Sequence, residues 1–311
     1  MRKPRVLGSG DRVAIVAPAS PFARDIFEAG LSELRALGFD PVFEESVFDR
    51  RLYLAGTAES RAAAFQKAWA DPSIAAIIAA RGGYGSVHLL PLLNPKVFAG
   101  APKAFIGYSD NTSLLTWLNQ ACGLVAFHGP MLEGRFAAGE GAYDRDTFTR
   151  CLCRAEPAGA ITHPRVEVIK PGEARGMLVG GTLTKLTASL GTPYAFDPPH
   201  GCVLFLDDVA ERPYRLDRML TQLRLAGVLV RVSAIVFGVM PGCDEPGGSP
   251  TARDVIAELL SDFPGPVLFG LPSGHTDGPT LTLPFGVRAR VLAGPGPELI
   301  IEEAAVTDNA A

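Results

Sequence analysis

The first half of the chain alternates short apolar runs with stretches whose apolar residues recur at helical spacing. The run Val13–Ala17 is followed by a helical pattern that ends at Gly38. A run at Pro41–Phe43, a helical pattern at about 57–69 and a strong run at Ile74–Ala80 continue the alternation. Strands that alternate with helices form a parallel sheet covered on both faces. The pattern therefore predicts an α/β fold.

The stretch Ala104–Leu115, AFIGYSDNTSLL, predicts a buried strand that bends sharply into a helix. Such a bend lifts a serine hydroxyl out of the sheet and directs the first free N–H groups of the helix at an adjacent oxyanion. Ser109 is therefore our candidate nucleophile. The fifth position of the hydrolase pattern G-x-S-x-G is Asn111 here, and the alternative is that Ser109 or Asp110 only caps the helix.

Two other predicted strand ends carry weaker signals. The loop Arg81-Gly82-Gly83-Tyr84-Gly85 follows the run Ile74–Ala80, and ligands bind beyond the carboxyl ends of such strands. Its glycines let backbone N–H groups approach an anionic atom, although an ordinary turn is the simpler interpretation. Beside a nucleophile, this loop becomes a candidate second donor for an oxyanion hole. His128 could face the site, but because it lies beside Gly-Pro the favoured interpretation is a structural loop residue with a satisfied hydrogen bond.

The second half of the chain places an acid and a base at predicted strand ends. The apolar run Cys202–Leu206 ends in Asp207 and Asp208, and the run Val267–Gly270 leads into LPSGH, which ends at His275. A serine hydroxyl needs an imidazole to take its proton and a carboxylate to orient that imidazole. The order nucleophile, acid, base is compatible with such a triad, but order alone is weak evidence.

Regular patterns thin between residues 156 and 175, where prolines and glycines cluster. We therefore predict an N-terminal nucleophile domain at 1–155, a linker at 156–175 and a C-terminal domain at 176–311 that carries the acid and the histidine. Alternating apolar residues from Leu281 to Val291 predict closing antiparallel strands, and the tail from Ala304 is expected to be loose.

Composition limits the partners and the compartment. The 311 residues, 47% apolar and 20% charged, predict a globular protein, and a net charge of −4 with no basic block argues against nucleic acid as a partner. No apolar run approaches the roughly 20 residues that cross a bilayer, and polar residues interrupt the place of a signal-peptide core, so we expect a cytoplasmic protein without a membrane partner. The five scattered cysteines predict reduced thiols and no metal site.

Seven ordered segments resemble the LD-carboxypeptidase family of serine peptidases, which includes the microcin C immunity peptidases, and the resemblance extends over nearly the whole chain. The segments are GDRVAIVAPASP (10–21), RGGYGS (81–86), FIGYSDNTSLL (105–115), HGP (128–130), GGTLTKL (180–186), FLDDVAERPYRLDRML (205–220) and LPSGH (271–275). The resemblance implies an N-terminal parallel-sheet domain like those of flavodoxin and glutamine amidotransferases, with a nucleophile elbow. It also implies a C-terminal mixed α/β domain with a small β-barrel-like sheet.

The same resemblance implies a muramoyltetrapeptide carboxypeptidase, which removes the C-terminal D-alanine of murein tetrapeptide in peptidoglycan recycling. Carried over by position, Ser109 is the nucleophile and His275 the general base, and backbone N–H groups of Gly83 and Asp110 form the oxyanion hole. A homodimer with its site between two domains is implied, and no metal or organic cofactor is required.

The third triad member departs from the family pattern, because Asp207 stands where the family usually has glutamate. Asp207 is one methylene shorter, so the ring or the backbone must move to keep a hydrogen bond, and Asp208 is the weaker alternative. The substrate carboxylate needs a cationic or N–H partner. The binding candidates are Arg81, Gly82, Tyr84 and Arg215, with a structural ion pair as the alternative for both arginines.

Three other functions compete with this one. A microcin-immunity peptidase cleaves acyl-sulfamoyl adenylates and needs an aromatic surface, but Trp69 and Trp117 lie in helical patterns typical of packing. A binding module without catalysis would leave His275 and the Asp pair without a role. A generic α/β-hydrolase esterase is disfavoured by the missing fifth-position glycine and by the glycine-rich loop preceding the nucleophile.

Overall fold

The computed structural model describes residues 1–308, whose strands form two sheets. The strands are β1 (Arg12–Val16), β2 (Asp40–Phe43), β3 (Ile74–Ala79), β4 (Ala104–Gly107), β5 (Ala126–His128), β6 (Pro157–Ile161), β7 (Glu167–Lys170), β8 (Gly172–Thr182), β9 (Cys202–Asp207), β10 (Val232–Phe237), β11 (Val267–Phe269), β12 (Leu283–Phe285), β13 (Arg288–Ala293) and β14 (Glu298–Ala304). The α-helices are α1 (Arg24–Ala36), α2 (Ala58–Ala70), α3 (Pro95–Gly100), α4 (Thr112–Cys122), α5 (Arg145–Leu152), α6 (Leu183–Ser189), α7 (Pro213–Leu225) and α8 (Ala252–Leu259).

The first sheet has the strand order β2-β1-β3-β4-β5-β12. Strands β1 to β5 are parallel, and β3 and β4 are buried along their whole length, which explains their continuous apolar runs. The strand order reverses between β1 and β3. Because parallel strands end at the same edge of a sheet, the loops after β1, β3 and β4 meet there, at the position where α/β sheets bind ligands.

The second sheet has the strand order β6-β14-β13-β8-β9-β10-β11-β7. Strands β8 to β11 are parallel, and the outer strands are antiparallel. One face packs into the same apolar core as the first sheet, through residues such as Val203 and Phe205. The other face lies under α6, α7 and α8, through residues such as Leu186, Leu216 and Ile256. The carboxyl ends of β8 and β9 thereby reach the edge of the first sheet.

The predicted α/β class is confirmed, but both sheets are mixed. Strand β12 comes from the C-terminal part of the chain and pairs antiparallel with β5, which closes one edge of the first sheet. Because β12 has only three residues, its sequence carries too little alternation to indicate its partner.

Residues 156–175, predicted to be a linker, instead contain β6, β7 and the start of β8. Strands β6 and β7 are the two edge strands of the second sheet, and an edge strand tolerates proline because one side of it needs no ladder hydrogen bonds. Of the three prolines that made this segment resemble a linker, Pro157 is the first residue of β6, whereas Pro164 and Pro171 lie in the connections on either side of β7.

The expected loose tail is wrong for residues 304–307. Ala305 and Val306 are buried, and Thr307 exchanges backbone hydrogen bonds with Pro4 and Val6. The last residues of the prediction, 309–311, lie outside the described part of the chain. Among the helices of residues 1–308, none has the length and apolar character needed to cross a membrane.

Candidate active site

Ser109 lies at a bend between β4 and α4 and has a left-handed backbone conformation, with φ of +62°. This region is unfavourable for residues other than glycine, and strain of this kind is concentrated at functional sites. A 3₁₀ turn, Ser109–Asn111, leads from the bend directly into α4. The bend presents the serine hydroxyl above the sheet and places the backbone N–H of Asp110 beside it, as a strand-to-helix nucleophile turn does.

The structure brings Ser109, His275 and Asp207 into one chain of hydrogen bonds. Nε2 of His275 lies 3.1 Å from Ser109 Oγ, and Nδ1 lies 2.7 Å from Asp207 Oδ2. Because an ionised carboxylate only accepts, Nδ1 carries the proton and Nε2 is left to accept from the serine. This arrangement can remove the hydroxyl proton and stabilise the imidazolium that results.

Asp207 is fully buried and receives three hydrogen bonds. Its Oδ2 accepts from both the backbone N–H and Nδ1 of His275, at 2.9 and 2.7 Å, and its Oδ1 accepts from Thr182 Oγ1 at 2.8 Å. Burial alone would raise the pKa of Asp207, but the charge and hydrogen bonds of His275, with a contribution from His128, hold that pKa well below its usual range. Asp207 is therefore ionised at neutral pH.

The shorter Asp207 side chain reaches His275 because the histidine loop, residues Ser273–Gly278, lies directly against it. Gly274 has φ of +77°, and a Cβ at this position would lie 2.3 Å from Asp207 Oδ2. Only glycine allows so close an approach of the backbone. This close approach of the loop places His275 within hydrogen-bond distance of the aspartate carboxylate.

Asp208 points away from the histidine loop and holds the start of α6. Its Oδ2 accepts from the backbone N–H and Oγ1 of Thr184, at 2.9 and 2.7 Å, and its Oδ1 accepts from the backbone N–H of Val209 at 2.9 Å. Burial raises the pKa of Asp208 to about 6, although these hydrogen bonds lower it. The structure therefore places Asp207, and not Asp208, on His275.

His128 ends β5 and is completely buried, so it is not the loop residue predicted from its Gly-Pro neighbours. Its Nδ1 lies 3.0 Å from Ser273 Oγ, which itself donates to the carbonyl of Leu281 at 2.9 Å. His128 Nδ1 is therefore the donor in the first contact. Nε2 of His128 faces Asp207 Oδ1 at 3.7 Å, which places a second imidazole behind the carboxylate.

The glycine-rich loop passes directly beside the nucleophile. A Cβ on Gly82 would lie 2.8 Å from Ser109 Cβ and 3.5 Å from the backbone nitrogen of Asp110, so Gly82 is the residue packed on Ser109. Gly83 packs instead on Ser20, whose Oγ accepts from the Tyr84 N–H at 3.1 Å.

Asn111 connects the glycine-rich loop to the bend. Its amide donates to the carbonyl oxygens of Arg81 and Tyr108, both at 3.2 Å. This contact explains why Asn111 occupies the fifth position of the bend, where many hydrolases have glycine.

The side chain of Asp110 is buried beside the candidate oxyanion hole. Its Oδ2 accepts from the Ser86 N–H at 2.7 Å, its carbonyl accepts from Ser86 Oγ at 2.6 Å, and its Oδ1 pairs with the ammonium group of Lys185. Lys185 also lies 4.8 Å from the centre of the Tyr84 ring. The lysine thus compensates a buried negative charge next to the place where an oxyanion would form.

Both candidate substrate-binding arginines take part in ion pairs. Arg81 Nε lies 3.2 Å from Glu133, and its Nη1 donates to the Pro21 carbonyl at 2.9 Å. Arg215 Nη1 lies 3.3 Å from Glu211. These contacts favour the structural interpretation that the sequence left open for both residues.

Two polar residues of the site were not singled out from the sequence. Thr182 holds the second oxygen of Asp207, and Lys185 pairs with Asp110. Both lie in the segment GGTLTKL at the end of β8, so the position of Thr182 at a strand's carboxyl end was the available signal. The pairing of Lys185 depends on how α6 sits against α4, which no local pattern indicates.

Comparison with known proteins gives matches along most of the chain. The family model described as the LD-carboxypeptidase N-terminal domain matches residues 13–129, and the model of the C-terminal domain matches residues 175–291. A provisionally named carboxypeptidase of Streptomyces coelicolor is 40% identical over 298 residues, which cover 94% of each chain. The murein tetrapeptide carboxypeptidase of Pseudomonas aeruginosa is 34% identical over 278 residues, covering 85% of this chain and 88% of the relative.

Among solved structures, the microcin C7 self-immunity protein MccF in complex with aspartyl sulfamoyl adenosine is similar along the whole chain. Its TM-score is 0.92 at 27% sequence identity, and the match covers 99% of this chain and 100% of that one.

Proposed function

The chain belongs to the LD-carboxypeptidase family of peptidases, and from this premise we propose that it is a serine L,D-carboxypeptidase that removes the C-terminal D-alanine of murein tetrapeptide. The observation that carries the proposal is the hydrogen-bonded chain from Ser109 through His275 to Asp207 at a strained bend. The substrate is proposed because a relative that is 34% identical is named a murein tetrapeptide carboxypeptidase.

Acylation begins when Ser109 Oγ attacks the carbonyl between the L-centre of diaminopimelate and the terminal D-alanine. His275 Nε2, 3.1 Å away, takes the hydroxyl proton as the Oγ–C bond forms. The backbone N–H groups of Gly83 and Asp110 are the proposed donors to the resulting oxyanion. His275 then gives its proton to the amine of D-alanine, the C–N bond breaks, and the shortened peptide remains as an ester of Ser109.

Deacylation repeats these steps with water as the nucleophile. His275 takes a proton from the water as its oxygen attacks the ester carbonyl, and it returns the proton to Ser109 Oγ when the ester bond breaks. Burial opposes the imidazolium, but the charge and hydrogen bond of Asp207 outweigh it, so the pKa of His275 is raised above its usual 6.5. Because His275 must begin each half-reaction neutral, activity should fall as the pH drops through that raised pKa.

The test is mass spectrometry of the protein incubated with murein tetrapeptide ending in D-alanine. We expect loss of one alanine with wild-type protein and none with Ser109→Ala. The same peptide ending in L-alanine is the matched substrate control and should stay intact. An intact D-alanine peptide with folded wild-type protein would contradict the proposed substrate.

A microcin-immunity peptidase that cleaves acyl-sulfamoyl adenylates is the second candidate. Both tryptophans are buried, but Tyr84 of the glycine-rich loop and the neighbouring Tyr53 are 43% and 59% exposed, with ring centres 6.0 Å apart. Exposed aromatic rings can stack on a nucleobase. Cleavage of aspartyl sulfamoyl adenosine with the tetrapeptide left intact would favour this candidate.

The proposal extends to architecture and assembly. The order β2-β1-β3-β4-β5 supports a flavodoxin-like N-terminal domain within 1–155, and β13 and β14 belong to the proposed barrel-like part of a C-terminal domain within 176–311. We also propose a cytoplasmic homodimer, without nucleic acid or membrane as partner, whose site lies between the two domains. Sedimentation of the purified protein at micromolar concentration should give the mass of two chains.

A further inference from the structure

Arg135 is a buried arginine in the loop after β5, and it has no role in the mechanism above. Arg135 is 8% exposed, and every N–H group of its guanidinium has a hydrogen-bond partner. A guanidinium has five N–H donors in a rigid plane. Here they reach five neutral oxygens, namely Tyr108 Oη (3.3 Å), Ala142 O (3.2 Å), Gly278 O (3.0 Å), Gly274 O (2.9 Å) and Thr276 O (3.0 Å).

Three of these acceptors belong to the histidine loop, and two of them are the carbonyls on either side of His275. Nη2 of Arg135 holds both the Gly274 and the Thr276 carbonyl, so the backbone of His275 is fixed from its two neighbours. The arginine precedes α5, whereas the loop follows β11, so these bonds join distant parts of the chain. A loop with two glycines would otherwise have considerable backbone freedom.

The charge of Arg135 lies close to the imidazole. Its guanidinium carbon is 5.7 Å from the centre of the Tyr108 ring, and that ring is 5.2 Å from the His275 ring, edge-on. Since the five partners of Arg135 are neutral, no carboxylate among the hydrogen-bond partners described for residues 1–308 cancels its charge.

The other titratable groups around His275 come from several elements of the fold. Asp207 and Asp208 lie at the end of β9, Tyr108 and Ser109 at the bend before α4, and His128 behind Asp207 at the end of β5. On the loop itself, Asp277 pairs with Arg165 at the surface. Burial lowers the pKa of His275, the two aspartates raise it, and Arg135 lowers it.

We propose that Arg135 is a positioning residue for His275, which fixes the histidine loop through three backbone carbonyls and disfavours the imidazolium through its permanent charge. The inference rests on the proposed role of His275 as the general base. Without Arg135, only burial would oppose the effect of the two aspartates on the imidazole. A larger fraction of the imidazole would then be protonated and unable to accept from Ser109 at neutral pH.

The test follows the rate at which a fluorophosphonate labels Ser109, detected by intact mass, between pH 5 and 9 in the full-length protein. This probe reports the nucleophile and its base without the peptide substrate. For Arg135→Gln, which removes the charge, we expect the acidic limb of the rate profile to move to higher pH by about half a pH unit to one pH unit. We also expect the plateau rate to fall about tenfold or more, because the loop loses its support.

Arg135→Lys separates the two roles of the arginine, because lysine keeps the charge but has three donors instead of five. Its acidic limb should stay near that of wild type while its plateau rate falls several-fold. Arg165→Gln is the matched control: it removes an exposed arginine that contacts the same loop, and both limb and plateau should be those of wild type. Circular dichroism and thermal melting establish that each variant is folded.

A wild-type profile for folded Arg135→Gln would overturn the inference and leave the proposed function standing. Absence of labelling in wild-type protein would overturn both, since it removes the nucleophile–base pair itself. If Arg135→Gln does not fold, Arg135→Lys decides: a lower plateau with an unchanged limb supports positioning, and a wild-type plateau overturns it.

Discussion

Asp207 and Asp208 are neighbours in the chain, both are buried, and their environments have opposite effects on their charge. Two histidines and Thr182 surround Asp207, and His275 and His128 hold its pKa well below the usual range although burial raises it. Asp208 is surrounded by neutral donors at the start of α6, and burial raises its pKa to about 6. Asp207 is the last residue of β9 and Asp208 the first residue after it, and this one step along the chain exchanges the histidine loop for α6. Burial alone therefore does not identify a catalytic acid, whereas the charges of its donors do.

The largest expected effect comes from Asp207→Asn. Asp207 accepts from His275 with one oxygen and from Thr182 with the other, whereas an asparagine amide has only one accepting oxygen. The imidazole therefore loses the tautomer in which Nε2 is unprotonated and can accept from Ser109. We expect the rate of Ser109 labelling to fall by about 10³-fold or more, with the fold retained. The matched variant Asp208→Asn should lower the rate of Ser109 labelling by less than about tenfold. Equal losses in the two variants would contradict the distinction between the aspartates.

Asp207→Glu tests whether the site is fitted to the shorter acid. The histidine loop already lies at van der Waals contact, since a Cβ on Gly274 would be 2.3 Å from Asp207 Oδ2. An extra methylene moves the carboxylate about 1.5 Å toward this backbone. We expect the labelling rate to fall about 10- to 100-fold, because small misplacements of catalytic groups are costly. A rate equal to or above wild type would show that the loop can withdraw to accommodate the family glutamate.

A smaller effect is expected from His128→Phe, which removes the second imidazole behind Asp207. The phenylalanine ring can keep the packing of His128 on Phe205 and Phe285, whose ring centres are 5.1 and 5.3 Å away. The variant loses the contact with Ser273 and the polar edge that faces Asp207. We expect an approximately tenfold lower labelling rate, which corresponds to about 1.4 kcal/mol. An unchanged rate would mean that His275 and Thr182 alone determine the state of Asp207.

Local patterns predicted the strands that end at the site, because β3, β4 and β9 are continuous apolar runs followed by chemically distinctive residues. They did not indicate which of two adjacent aspartates faces His275, since that depends on the rotation of β9 relative to the histidine loop. The edge strands β6 and β7 were missed because both are short and lie among prolines that usually indicate linkers: Pro157 begins β6, and Pro164 and Pro171 flank β7. Arg135 and Lys185 were missed because their partners are brought close only by the packing of distant segments.

The last prediction uses stability, which distinguishes the two carboxylates without any catalysis. Asp208 has a pKa of about 6 in the folded protein against 3.8 in the unfolded chain, so the folded state binds its proton more tightly. The free energy of unfolding should therefore fall as the pH rises from about 4 to 6, by about 2–3 kcal/mol from this group. Asp208→Asn cannot titrate at this position, so it does not lose this part of the free energy of unfolding as the pH rises. Any hydrogen bond that the asparagine fails to form lowers the free energy of unfolding by the same amount at every pH. Its stability relative to wild type should increase across that window.

Asp207 has the opposite sign and a different window. Its pKa is lowered on folding, so its stabilising effect is complete above the unfolded value near 3.8 and is lost only as the pH falls below it. The destabilisation caused by Asp207→Asn should therefore shrink as the pH falls below about 4, in a range where the effect of Asp208→Asn is expected to change little. Urea denaturation of wild type and both variants from pH 3 to 7 measures these differences. Parallel curves for the two variants would show that both aspartates have the same charge in the folded protein, and would remove the basis for assigning only Asp207 to His275.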